Sequence, residues 1–194
     1  IDSAGSNHGT ASGGAYDVGR KNQAIHLDGA DDYVNVPDSS SLDGMSGLTL
    51  AAWVKLDALP ATGYHYIPIG KEGAYRFIVG DNGGGHFVIA TANNGWYSTG
   101  TTAGFGDVTL TPGTWYHLVG VYDGSYVYMY IDGQLKGTGA QAISGAIVNN
   151  SAALRFGHNY SIGNIQFTDG WVDEVRLYSR ALNGTEVQSL YNSY

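Results

Sequence analysis

"TWYHLVGVYDGSYVYMYIDGQL", residues 114–135, decides the fold. Val127, Met129 and Ile131 alternate with Tyr126, Tyr128 and Tyr130, a period of two that gives a strand one aliphatic and one aromatic face. With apolar runs on both sides of an Asp-Gly turn, the stretch reads as a β-hairpin. The same alternation continues outward. Upstream, Ile25 and Leu27, then Val34 and Val36, flank a Gly and Asp turn in "AIHLDGADDYVNVP" (24–37) and predict a second hairpin. "LTLAAWVKLD" (48–57) sets Leu48, Leu50, Ala52 and Val54 on one face, and "YRFIVGDNGGGHFVIATA" (75–92) gives two strands around Asp81, Asn82 and three glycines. Downstream, "ALRFGHN" (153–159) and "WVDEVRLY" (171–178) supply two more strands. Residues 1–23 show neither period and read as a surface loop with at most a short edge strand.

One stretch breaks the pattern. In "GWVDEVRLYSRALNGTEVQSLYN" (170–192) a strand gives way to a helix: Asn183 is a capping residue, Glu186 three positions on can reach back to it, and Val187, Leu190 and Tyr191 share a face. This predicts a short amphipathic helix that lids one end of the molecule. The whole chain, 1–194, is therefore expected to be one all-β domain, an antiparallel two-sheet β-sandwich or jelly roll with a single short C-terminal helix.

Composition narrows the function. Thirty glycines, fifteen tyrosines and only nine Lys plus Arg describe short strands and many turns. A formal net charge of -8 argues against nucleic acid and anionic membrane, both of which call for a basic surface. The absence of cysteine excludes disulfides and thiolate metal sites. No apolar run is long enough to span a bilayer, and the opening on Ile1 fits a monomeric module excised from a longer secreted protein.

In this order "AIHLDGADDYVNVPDSSSL", "LTLAAWVKLD", "TWYHLVGVYDGSYVYMYIDGQL", "LRFG" and "GWVDEVRLYSRALNGTEVQSLYN" resemble the bacterial laminin G-like jelly-roll domains of the concanavalin A-like lectin and glucanase superfamily, over roughly residues 2–192. Such domains usually begin with one further strand ahead of "DSAGSNHGT", and they are appended to glycoside hydrolases, polysaccharide lyases, sialidases and adhesins. The resemblance implies a non-catalytic carbohydrate-binding module on a secreted polysaccharide-degrading enzyme, or alternatively an adhesin or protein-interaction module; a hydrolase or lyase is the third reading.

The residues weigh against catalysis. Glycan hydrolysis needs two carboxylates flanking one bond, and Glu72, Glu174 and Glu186 form no E-x-D-x-E run. The six histidines stand singly, without metal-ligand spacing. Binding residues are easier to find, because sugars are gripped by aromatic faces together with amides that bridge hydroxyl pairs. Tyr64, His65 and Tyr66 in "PATGYHYIPIG", Asn93, Asn94, Trp96 and Tyr97 in "TANNGWYSTG", and His158, Asn159, Tyr160 and Asn164 in "FGHNYSIGN" are the candidates for a polysaccharide or oligosaccharide site. The plain alternative is that these rings plug the ends of the sandwich, and the row Tyr126, Tyr128 and Tyr130 is a rival platform. Trp53 and Trp115 sit within strands and read as structural; Trp171 stays open.

The resemblance also implies a structural calcium ion where the first core hairpin meets the final strand. Asp28, Asp31 and Asp32 offer oxygen ligands at the one place and Asp173 at the other, with Asp28 and Asp173 the expected side-chain ligands. On alternation, Asp173 shares its face with Val175 and Leu177 and needs a cation or donors if buried. The alternatives are solvated aspartates in a turn and a strand bulge near Trp171 that would turn Asp173 outward.

Overall fold

The computed structural model describes residues 3–93, 102–106, 108–138, 144–158 and 165–194. Two sheets face each other. The first takes Thr10–Ser12 (β1), Tyr33–Val36 (β4), His65–Tyr66 (β6), Ile69–Lys71 (β7), Tyr75–Gly80 (β8), Gly85–Ile89 (β9), Thr102–Gly104 (β10), Leu154–Phe156 (β14) and Ile165–Gln166 (β15). Its order runs β1-β4-β14-β7-β8-β9-β10, with β6 beside the far end of β8 and β15 parallel to β6. The second takes Ala15–Val18 (β2), Gln23–Asp28 (β3), Leu48–Leu56 (β5), Trp115–Tyr122 (β11), Val127–Ile131 (β12), Gln134–Thr138 (β13) and Asp169–Tyr178 (β16), in the order β13-β12-β11-β5-β16-β3-β2. A β-sandwich of the jelly-roll type with one short C-terminal helix is the architecture that the sequence predicts.

The 114–135 hairpin pairs as read, Val119 opposite Tyr130 and Val121 opposite Tyr128. Val127, Met129 and Ile131 point into the core with Leu48, Leu50, Ala52 and Val54 of β5, and Phe77, Phe87 and Ile89 approach from the first sheet. Packing between the sheets is close at Gly120: a Cβ there would lie 2.3 Å from the Phe87 ring.

Three expectations change. The stretch 24–37 is not a hairpin, because β3 pairs with β2 and β16 whereas β4 pairs with β1 and β14. The turn between them, with Gly29 at φ 75°, carries the chain across the core from one sheet to the other. Residues 10–18 contribute an edge strand to each sheet instead of one short strand. The helix, Gly184–Tyr191 (α1), has the predicted capping box, Asn183 Oδ1 accepting from the Glu186 N–H and Glu186 Oε2 from the Asn183 N–H. It lies across the outer face of the second sheet, however, and does not lid an end. Val187 and Leu190 pack with Ala51, Val119 and Val121, and the rings of Tyr128, Tyr130 and Tyr178 border them. That face needs a cover because the outward positions of β5 and β11 are apolar too, and burying the two aliphatic side chains contributes roughly 1.5–3 kcal/mol each.

Candidate functional site

Strand direction sorts the loops into two ends. β8 runs from Tyr75, paired with Ile89, to Gly80, paired with His65. Tyr64 therefore sits at the end where β8 finishes, together with the turn after β3, the turn after β5, and His158 and Phe167 beside β15. Asn93 follows β9 and leaves at the opposite end, where Ala90 bonds Ala74 and Asn93 Nδ2 donates to Ser144 Oγ at 3.3 Å. Tyr64 and Asn93, candidates for one glycan site, thus stand at two different ends, since β9 returns antiparallel to β8. Asn94, Trp96, Tyr97, Asn159, Tyr160 and Asn164 lie outside the described residues.

At the first end the candidates differ in what they offer. Tyr64 is 40% exposed, and its loop is pinned by Gly63 N–H donating to Asp81 Oδ2 at 2.8 Å. Tyr66, two residues on, alternates with half-buried His65 on β6 and takes the inward side; only 5% exposed, it is part of the main core and presents no ring face to a ligand. His158 is half-buried and stacks on Phe167 with centroids 4.0 Å apart, and burial beside Arg155 holds its pKa below the usual imidazole value. The rival platform is largely occupied: Tyr128 and Tyr130 border the α1 cluster, and Tyr128 Oη donates to Asp123 Oδ2 at 3.0 Å. Tyr126 remains exposed.

The two aspartates assigned to one cation do not meet. Asp28 stands opposite Asp169, four positions before Asp173, about 13 Å along the strand. Asp173 does not share a face with Val175 and Leu177 either. A bulge with Glu174 at φ 48° shifts the register after Asp173, so Asp173 lies opposite Trp53 on the outer side. There its carboxylate accepts the backbone N–H of Lys21 at 2.9 Å and of Glu174 at 2.7 Å, and burial pushes its pKa up. Two backbone donors thus satisfy it. In the turn after β3, one carboxylate oxygen each from Asp28, Asp31 and Asp32 all lie within 4.8 Å of one another. Asp32 Oδ2 accepts the Asp28 N–H at 3.1 Å, and the Ala30 N–H bonding Asp28 Oδ1 holds the Asp28 carboxyl below its usual range.

Two constellations escaped the reading of the sequence. Across the outer face of the second sheet the register aligns Trp115, Lys55, Trp171 and His26, one residue from each of four adjacent strands. Lys55 Nζ lies 3.7 Å from the Trp171 ring centroid and 5.2 Å from that of Trp115, and His26 stacks on Trp171 at 4.2 Å. At the opposite end of the first sheet, Lys71 is fully buried, its ammonium 2.6 Å from Asp38 and 3.3 Å from Asp43, with the carbonyls of Asn150 and Ala152 completing its shell. The only local signal for either was a charged residue at an alternating strand position. Of the glutamates, Glu174 pairs with Arg176 at 3.0 Å and Glu186 caps α1.

Comparison with known proteins agrees with this architecture. Domain 4 of AbnA, an extracellular GH43 arabinanase from Geobacillus stearothermophilus solved with arabinotriose, superposes with a TM-score of 0.72 at 23% identity, covering 94% of this chain and 87% of that one. The binding domain of Paraclostridial Mosquitocidal Protein 1 gives 0.71 at 18% identity over 97% of this chain and 48% of its own. The botulinum neurotoxin serotype G binding domain gives 0.72 at 18% identity, covering 100% of this chain and 48% of that one. In sequence, the Adhesion G-protein coupled receptor V1 of Danio rerio is 33% identical over 85 residues, which are 43% of this chain and 1% of the receptor. A family model matches residues 28–188, from the Asp turn into α1, and by that match the chain belongs to the concanavalin A-like lectin/glucanases superfamily.

Proposed function

We propose that the chain is a non-catalytic carbohydrate-binding module, carried by a secreted polysaccharide-degrading enzyme and acting outside the cell as a monomer. The observation that carries this reading is the likeness, over nearly the full length of both, to an arabinanase domain solved with an arabinose oligosaccharide. Exposed Tyr64 at one end, Asn93 at the other, and the amide and aromatic residues that follow Asn93 in the sequence are the chemistry a glycan would use. Affinity electrophoresis against plant and algal polysaccharides tests it, with retardation by at least one glycan expected and weakened by about 1–3 kcal/mol in Trp96→Ala, as for loss of one stacked ring. No retardation by any polysaccharide, with a blank glycan array, would refute it.

A second reading, an adhesive module that grips a protein, is supported by the match to the adhesion receptor. It predicts a protein ligand and no glycan.

With the module goes a structural calcium ion, which we place on Asp28, Asp31 and Asp32, an all-oxygen donor set of the kind calcium takes. It would tie together the turn that crosses between the sheets. An ion held only by the native state raises the melting temperature by mass action, so EDTA should lower it in the wild type and leave Asp28→Asn unmoved. A melt indifferent to EDTA, with no calcium by elemental analysis, rules this site out.

A further inference from the structure

Beside that all-oxygen turn the register assembles a different donor set. His26 stands on β3 opposite Trp171, Asp169 opens β16 two positions before Trp171 and so on the same face, and Asp57 immediately follows β5. The three strands are neighbours, and the Asp57 N–H donates to the Asp169 carbonyl at 3.0 Å, fixing the two acidic residues relative to each other. One ring nitrogen of His26 and one carboxylate oxygen each from Asp57 and Asp169 lie within 4.8 Å of one another. The imidazole is not free to swing, since its ring is stacked on Trp171 at 4.2 Å with 28° between planes. Its Nε2 already stands 3.0 Å from Asp57 Oδ2. No Lys or Arg among the described residues forms an ion pair with Asp57 or Asp169.

We infer that His26, Asp57 and Asp169 form a second cation site, distinct from the aspartate turn and selective for a divalent transition ion of the zinc class. One imidazole nitrogen with two carboxylate oxygens is a borderline set that suits zinc, whereas calcium and magnesium take oxygen alone. Tetrahedral zinc with bonds of about 2.0–2.2 Å wants its donors about 3.3–3.6 Å apart. The His26–Asp57 pair is already near that spacing, and closing the widest separation asks for about 1 Å of movement from half-exposed carboxylates. The ion takes the place of the proton shared by Nε2 and Oδ2. Three protein ligands leave one tetrahedral position for water or an oxygen of a bound ligand, and that position opens on the surface next to Trp171 and Lys55. The inference does not depend on the proposed glycan function.

Titration calorimetry with zinc chloride, in buffer holding millimolar calcium, tests it on the intact chain. One equivalent should bind in the wild type and in Asp28→Asn, and the affinity should fall about tenfold or more in His26→Gln and in Asp57→Asn, since even outer-shell partners of metal ligands cost about that much. Cobalt substitution should give the visible absorption of a four-coordinate ion, lost in the same two variants. Unchanged melting curves without metal confirm that the variants fold, and Asp57→Asn, which leaves the Trp171 stack intact, decides if His26→Gln does not. No saturable zinc binding, zinc affinity in His26→Gln and Asp57→Asn unchanged from the wild type, or displacement of zinc by the calcium present would each overturn it.

Discussion

Replacing His117 by Phe should abolish a large part of the acid lability of this domain. The imidazole is fully buried on the outer face of the second sheet, beneath Tyr191 and Tyr194 and against Trp53, with centroids 5.1–6.0 Å away. Neither ring nitrogen has a hydrogen-bond partner among the described residues, and the Arg176 cation acts on it. Burial first, and Arg176 second, push its pKa from 6.5 down to about 4. The folded state therefore resists a proton that the unfolded chain accepts readily. Stability from this source is complete above pH 6.5 and drains away as pH falls towards 4, because the unfolded state binds more protons throughout that interval. At about 1.4 kcal/mol per pH unit the full loss is about 3 kcal/mol, of which about 2 kcal/mol is spent by pH 5. Phe fills the same aromatic cluster without titrating. Urea unfolding of wild type and His117→Phe from pH 7.5 to 4.5 isolates the effect, since every other titrating group contributes to both curves. The difference in unfolding free energy should shift by about 2 kcal/mol in favour of Phe between pH 7.5 and 5, or about 4–8 °C in melting temperature for a domain of this size. Parallel pH profiles would refute the assignment, and so would a His117 resonance titrating near the free value in the folded protein.

Lys71→Met strands two carboxylates, one of them Asp43 at 4% side-chain exposure, and should cost about 3–5 kcal/mol by urea unfolding at pH 7, as loss of one member of a buried pair does. The loss should shrink as pH falls and Asp43, whose pKa burial has already raised, takes up a proton. Asn183→Ala removes the cap acceptor for the Glu186 N–H and should cost about 1 kcal/mol, with amide exchange accelerating first in α1.

Much of the architecture is visible in alternation and turn chemistry because those report which face a side chain takes and where a strand stops. They do not report which sheet a strand joins. Ile25, Leu27, Val34 and Val36 all point into the core as read, yet β3 and β4 lie on opposite sides of it, and an Asp-Gly turn serves a crossing as well as a hairpin. Asp173 was misread for a local reason. Alternation assumes an unbroken ladder, and nothing in "WVDEV" announces that Glu174 takes φ 48°. The candidate site was less legible still. Asn93 and Tyr64 look alike as loop residues, and only the antiparallel return of β9 sends them to different ends. The Trp115, Lys55, Trp171 and His26 row draws on four strands scattered through the chain, so its members carry no common motif.

The place of β16 in its sheet has a consequence for how the domain comes to be. This strand, late in the chain at Asp169–Tyr178, is flanked by β5 and by β3, which precede it by more than a hundred residues. As the polypeptide leaves the ribosome, β5 can pair with β11 as soon as that hairpin arrives, but the edges of β5 and β3 that belong to β16 must wait. Two unpaired strand edges above a half-built apolar core are the features that invite intermolecular pairing, and long-range closures of this kind are slow. Synthesis of residues 169–178 is therefore the step that converts an adhesive intermediate into a finished sandwich. An arrested or truncated chain that ends before Asp169 should accumulate as aggregate, however well formed its hairpins are.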